Sequence, residues 1–349
     1  MDEGVRRRAT ELCDNFTRKG CNRREMMAAV ARIIGGAAVA ELAVVAIVTS
    51  PVAAGAIAAD DKGRTTTTMP QGVEPGLTPA ISSKLPAWSP YVEGMAPLEG
   101  TRLYYRDSGG SGPVVVLEHP NTGSALIWGY QQPALVKAGY RVIAYSRRGH
   151  FGSEPGDPNI GGFLHRDLDA LMNYLNVGRF SIVASAMGAS VALSHATEFS
   201  RVDAIVAYGG SYSDIVEPSY RQILDTFVLP GFDQMPHVLR EVGPTYRGAN
   251  PEGTRAWMEL QHIAINANRL APKLAVLNWE TLARIKTPTL FIAGGSDMYA
   301  PPTIMRHVSE RVPNAKLVVM PDIGHSGYWE QPETFNRLAI QFLKKHVKD

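Results

Sequence analysis

The chain has 349 residues, of which 45% are apolar and 19% charged, with a formal charge of +2. That composition supplies a sizeable core and excludes a disordered or fibrous chain. No basic tract occurs in the second half, which argues against nucleic acid as a partner.

The first 58 residues differ from the rest. Arg23-Arg24 and Glu25 precede an alanine-rich apolar stretch that runs to Ala59, broken only by Arg32 and Glu41. This order resembles a twin-arginine export signal, with cleavage expected after Ala58, and it implies a periplasmic or secreted protein. A membrane anchor or a helical arm on a cytoplasmic chain is the alternative. Residues 42–59 approach spanning length, but Pro51 and Gly55 interrupt them. Membrane contact is therefore expected only through this leader. Cys13 and Cys21 both lie in it, so the remainder has no thiol for a disulfide or a metal site. Residues 59–97, rich in Thr, Pro, Gly and Ser, read as a linker or extended arm.

From residue 98 onward short apolar runs alternate with helical periodicity. The segments 101–106, 114–117, 141–145, 180–184, 204–208, 289–293 and 316–320 read as strands. Several are continuous β-branched runs, as expected of strands buried on both faces. Helices are expected at 165–175, 187–197, 302–311 and 332–346. The alternation implies an α/β fold, a mostly parallel sheet covered by helices on both faces. Residues 98–212 and 287–349 would form this core. The interval 213–286, rich in aromatics, methionines and prolines, shows helical periodicity without strands. It reads as a helical cap over the carboxyl edge of the sheet.

The segment Phe180 to Ala189 carries a strand, a tight turn and a helix start. It resembles the nucleophile elbow of the α/β-hydrolase family, in which small residues two positions either side frame a strained nucleophile. Ala184 and Gly188 supply that frame, so the nucleophile position is Ala186. Ser185 does not fit, because Val183 and Met187 would flank it. Two later segments resemble the family's remaining machinery. Thr287 to Asp297 matches its seventh strand with the triad acid, Asp297, and Met320 to Ser326 matches its last strand and histidine loop, with His325. The order nucleophile, acid, histidine is the family's. Residues 114–121 resemble the strand before the oxyanion loop, although His119-Pro120 replaces the usual His-Gly. The implied oxyanion donors are the backbone N–H groups of Asn121 and Met187. Tyr145 to Ser153 resembles a family loop, with Ser146 in place of its aspartate, and reads as structural.

The resemblance implies acyl transfer. A serine at 186 would attack a small ester or lactone, His325 would act as base and then acid, and Asp297 would orient the ring. Neither metal nor organic cofactor is required. Serine is the natural restoration at 186, because Ser185-Ala186-Met187-Gly188 resembles the x-Ser-Met-Gly turn of esterases, lactonases and C–C hydrolases. As it stands, a methyl group cannot attack a carbonyl, so the chain reads as an inactive variant. Two explanations fit Ala186: an alanine introduced into a serine enzyme, which retention of His325 and Asp297 favours, or a natural pseudohydrolase that binds a small apolar ligand. In the cap, Trp257, Met258, Tyr246 and Phe227 are candidates to line the pocket. Asp214 is a fallback acid. His119 reads as a packed structural residue.

Overall fold

The computed structural model describes residues 85–347 apart from 161, 211, 229 and 272. The leader and most of the linker lie outside the described residues. Eight strands form one sheet in the order β1-β2-β4-β3-β5-β6-β7-β8. Strands β1 (Val92–Leu98) and β2 (Thr101–Asp107) pair antiparallel, and β2 pairs antiparallel with β4 (Arg141–Tyr145). The strands β3 (Val114–Glu118), β5 (Phe180–Ser185), β6 (Val202–Tyr208), β7 (Thr289–Gly294) and β8 (Ala315–Met320) join β4 in parallel pairs. Strand β1 corrects the expected linker boundary. It lies at a sheet edge and carries Glu93, Gly94 and Pro97, so it lacks the continuous β-branched run that marks the central strands.

The central strands are buried because both faces are covered. Val115, Val116 and Leu117 of β3 are fully buried, and each such side chain contributes roughly 1.5–3 kcal/mol by leaving water. The helices α1 (Gln131–Lys137), α2 (Leu164–Tyr174) and α3 (Met187–Glu198) lie among the first six strands. After β7 come α9 (Pro302–Ser309), α10 (Gly327–Glu330) and α11 (Pro332–His346). One core cluster joins α2, α3 and α9 to the sheet; the other joins α1 and α11.

Between β6 and β7 the described residues form five α-helices and one short 3-10 turn at Phe232–Gln234. The α-helices are α4 (Pro218–Phe227), α5 (His237–Glu241), α6 (Pro244–Ala249), α7 (Pro251–Ala264) and α8 (Trp279–Ala283). Prolines start three of them at the first helical position, where the missing N–H removes no intrahelical bond. Single bridges from His150 to Ile265 and from Phe163 to Lys273 fasten this insertion to loops of the core, and one from Ile215 to Leu277 ties its two ends together.

Candidate active site

Strand β5 ends at Ser185 and α3 begins at Met187, so the chain reverses within one residue. That residue, Ala186, has φ 52° and ψ −116°, a conformation alanine rarely adopts. Two backbone bonds hold it: its N–H donates to the Tyr208 carbonyl at 2.8 Å, and its carbonyl accepts from Ala189 N–H at 2.9 Å. The small neighbour is a steric requirement. A Cβ on Gly188 would lie 2.2 Å from the Glu118 carbonyl oxygen. Only glycine lets α3 approach β3 this closely.

The loop after β8 carries His325, and the loop after β7 carries Asp297. His325 Nδ1 lies 3.0 and 2.8 Å from the two carboxylate oxygens of Asp297. Asp297 Oδ1 also accepts the N–H groups of Tyr299 at 2.7 Å and Ala300 at 2.9 Å, which fixes the carboxylate. With Nδ1–H donating to Asp297, Nε2 is left as the basic nitrogen. Burial alone would lower the His325 pKa, but the Asp297 carboxylate outweighs it and raises it above the ordinary histidine value. The Tyr299 ring tilts over the imidazole at 4.6 Å between centroids.

Ala186, His325, Asn121 and Met187 line one cavity of about 270 Å³. Met187 is the first residue of α3, so its N–H has no intrahelical acceptor and is available to a ligand. The Asn121 loop is braced from below. Arg147, buried, pairs with Glu118 and donates to the carbonyls of His119 and Pro120. Tyr145 also bonds Glu118. His119 is packed in this network: its Nδ1 lies 2.7 Å from the Pro120 carbonyl and its Nε2 accepts from Arg147 N–H at 3.0 Å. Burial holds its pKa well below the ordinary value, so the ring is neutral.

The four cap residues expected in the pocket do not line this cavity. Trp257 and Tyr246 are buried in the core, packed with Trp329. Met258 is 45% exposed. Phe227 lines a different groove, between α4 and α9. The reason is amphipathicity: aromatics on short cap helices turn toward the core that holds those helices down. The cap contributes instead His237, Arg240 and Glu241 from α5, together with Leu274. From the core come Thr122, Ser190 and Tyr299, and Ser213 lies where the insertion begins. Asp214 does not face His325; its Oδ1 accepts from Ser190 at 2.8 Å.

A second buried carboxylate supports the histidine loop. Glu330, fully buried, accepts the N–H of Gly324 at 3.0 Å and of Ser326 at 3.3 Å, the residues on either side of His325. It also accepts from Gly243, between α5 and α6. Burial pushes its pKa up to about 7. Its sequence signal is faint, a lone glutamate five residues past the histidine. Among the described residues, no group of three or more His, Cys, Asp or Glu side chains could hold a metal ion.

Comparison with known proteins agrees with this architecture. The chain is 26% identical to a 2-hydroxy-6-oxononadienedioate/2-hydroxy-6-oxononatrienedioate hydrolase from Burkholderia vietnamiensis, over 77% of this chain and 100% of that one. It is also 26% identical to a 2-hydroxy-6-oxo-6-phenylhexa-2,4-dienoate hydrolase from Comamonas testosteroni, over 70% of this chain and 92% of that one. A thermophilic esterase from Thermogutta terrifontis shares the fold with a TM-score of 0.58 at 22% identity, covering 74% of this chain and 100% of that chain. The enol-lactonase from Burkholderia xenovorans does so with a TM-score of 0.56 at 23% identity, covering 73% and 100%. The family model described as "Alpha/beta hydrolase family" matches residues 114–338. With the elbow, the parallel sheet and that match together, the chain belongs to the alpha/beta hydrolase family.

Proposed function

We propose that this scaffold is that of a serine-type acyl hydrolase for small carboxylic esters or lactones, with its nucleophile replaced by Ala186. The observation that carries the reading is the His325–Asp297 pair, bonded at 2.8 Å, with His325 lining one cavity together with the strained elbow residue. Relatives named as dienoate and dienedioate hydrolases support hydrolysis in general. With serine at 186, His325 Nε2 takes the hydroxyl proton as the oxygen attacks the acyl carbon. The N–H groups of Asn121 and Met187 stabilise the oxyanion, and His325 returns the proton to the leaving alcohol. Water then hydrolyses the acyl-enzyme by the same route. As the chain stands, only binding and oxyanion stabilisation remain, on the order of a thousandfold over water.

The test is Ala186→Ser, assayed on aryl and alkyl esters and lactones and labelled with an active-site phosphonate. Turnover and labelling at residue 186, both abolished by His325→Ala, are expected. A serine form that neither labels nor turns over any ester defeats the proposal. Ala186 itself favours a second reading, a protein that binds a small ligand without turnover. Tight ligand binding by the alanine form, beside an inert serine form, would establish it. Export through the leader belongs to the same proposal; N-terminal sequencing of exported material should begin near Ala59.

A further inference from the structure

The cavity beside His325 holds a guanidinium that acyl transfer does not use. Arg240 lines it from α5, with its side chain 9% exposed. Its central carbon lies 5.5 Å from the ring centroid of Phe232 and 5.6 Å from that of Tyr299. The two rings hold the cation in place and keep water from it. Tyr299 is also the ring over His325, so the guanidinium and the imidazole share one aromatic wall.

The protein leaves this cation incompletely paired. Nη2 lies 3.0 Å from His237 Nδ1, to which it donates. Nη1 reaches Asp233 only at 3.6 Å, and that side chain is 83% exposed, so the pair is weak. Nε is buried and has no acceptor among the described residues. A buried N–H on a permanently charged group is costly to leave unpaired, which marks it as a place for a ligand acceptor. Glu241 is next in sequence and lines the same cavity, yet it is engaged elsewhere. Its Oε2 accepts from Thr122 Oγ1 at 2.6 Å.

We propose that Arg240 recognises a free carboxylate on the small molecule that enters this cavity. The substrate class is then an acyl compound with a second, unesterified carboxylate, such as a dicarboxylic half-ester. The guanidinium's fork of N–H groups fits two carboxylate oxygens, and its desolvated setting strengthens the contact. The negative charge of Glu241 in the same cavity disfavours an anion that carries no such contact, so recognition depends on Arg240. The inference rests on the acyl-transfer reading for the ester, but the carboxylate contact does not. Ala186 lets binding be measured without turnover.

The experiment is calorimetric titration of the full chain with monomethyl adipate and with its neutral twin, dimethyl adipate. The half-ester should bind at least tenfold more tightly. Arg240→Gln should remove that preference, so that the half-ester binds no more tightly than the diester. A second readout does not depend on a variant folding: the Arg240 Nε–H resonance should shift on adding the half-ester and stay in place with the diester. Equal affinities, no binding of either compound, an unmoved Nε–H resonance, or an Arg240→Gln protein that keeps the preference would overturn the proposal. Failure of the serine form to hydrolyse esters, with the half-ester preference intact, would remove the acyl-transfer reading and leave the carboxylate site standing.

Discussion

Glu330 offers a quantitative test of how the histidine loop is held. Its carboxylate accepts the N–H groups of Gly324 and Ser326, and those bonds favour the charged form. Full burial works against them and wins, raising the pKa from the usual 4.5 to about 7. A carboxyl group whose pKa is raised on folding stabilises the fold fully below its unfolded pKa. That contribution is lost as pH rises through the folded pKa, because the folded state then holds the extra proton less and less. The window is therefore about pH 4.5 to 7, and at 1.36 kcal/mol per pKa unit the rise corresponds to about 3 kcal/mol. Glu330→Gln removes the titration. Urea denaturation of both proteins at pH 5 and pH 8 isolates the Glu330 share, since other groups titrate in both. The parent should lose about 2–3 kcal/mol more than the Gln form between those conditions. Parallel pH dependence in the two proteins would refute the argument that burial dominates this carboxylate.

Two further outcomes follow from the same geometry. Gly188→Ala places a Cβ 2.2 Å from the Glu118 carbonyl oxygen, a backbone atom that cannot swing aside. It should destabilise the protein by about 3 kcal/mol, read as a lowered thermal midpoint; an unchanged midpoint would show that α3 and β3 are not locked. Asp297→Asn removes the largest influence that raises His325, so burial is opposed less and the imidazole pKa should fall. Imidazole titration by NMR measures this, and an unmoved midpoint would mean that Asp297 does not govern the ring.

The sequence reveals those parts of the molecule whose physical constraint is local. Strands buried on both faces need continuous apolar runs, and β3 to β7 are therefore visible in the chain. The elbow needs small residues at 184 and 188 whatever stands between them, so position 186 can be located without its nucleophile. The cap is different. Its helices are held by aromatics that look like pocket residues in sequence, but Trp257 and Tyr246 face the core. The side chains that line the cavity, Arg240 and Glu241, sit in an ordinary polar stretch. Nothing in their spacing separates them from a solvated helix face. The support beneath the oxyanion loop is equally hidden, because Glu118 and Arg147 are 29 residues apart and meet only when β3 and β4 pair.

The elbow also poses a question of stability apart from catalysis. Ala186 keeps φ 52° and ψ −116°, although a methyl group gains nothing from being presented at that turn. Such a conformation costs a residue with a Cβ about 1–3 kcal/mol, and the surrounding structure must impose it. Here the imposing contacts are visible: the bond to Tyr208, the bond from Ala189, and the packing of Gly188 against Glu118. Glycine populates positive φ without that penalty, but it loses about 0.5–1 kcal/mol more backbone freedom on folding than alanine does. The difference predicts that Ala186→Gly stabilises the protein by up to about 2 kcal/mol, while Ala186→Ser, which keeps a Cβ, leaves stability near that of the alanine form. Chemical denaturation of the three proteins side by side decides it. If glycine is less stable than alanine at this position, the turn is not strained, and the elbow's geometry owes nothing to the surrounding bonds.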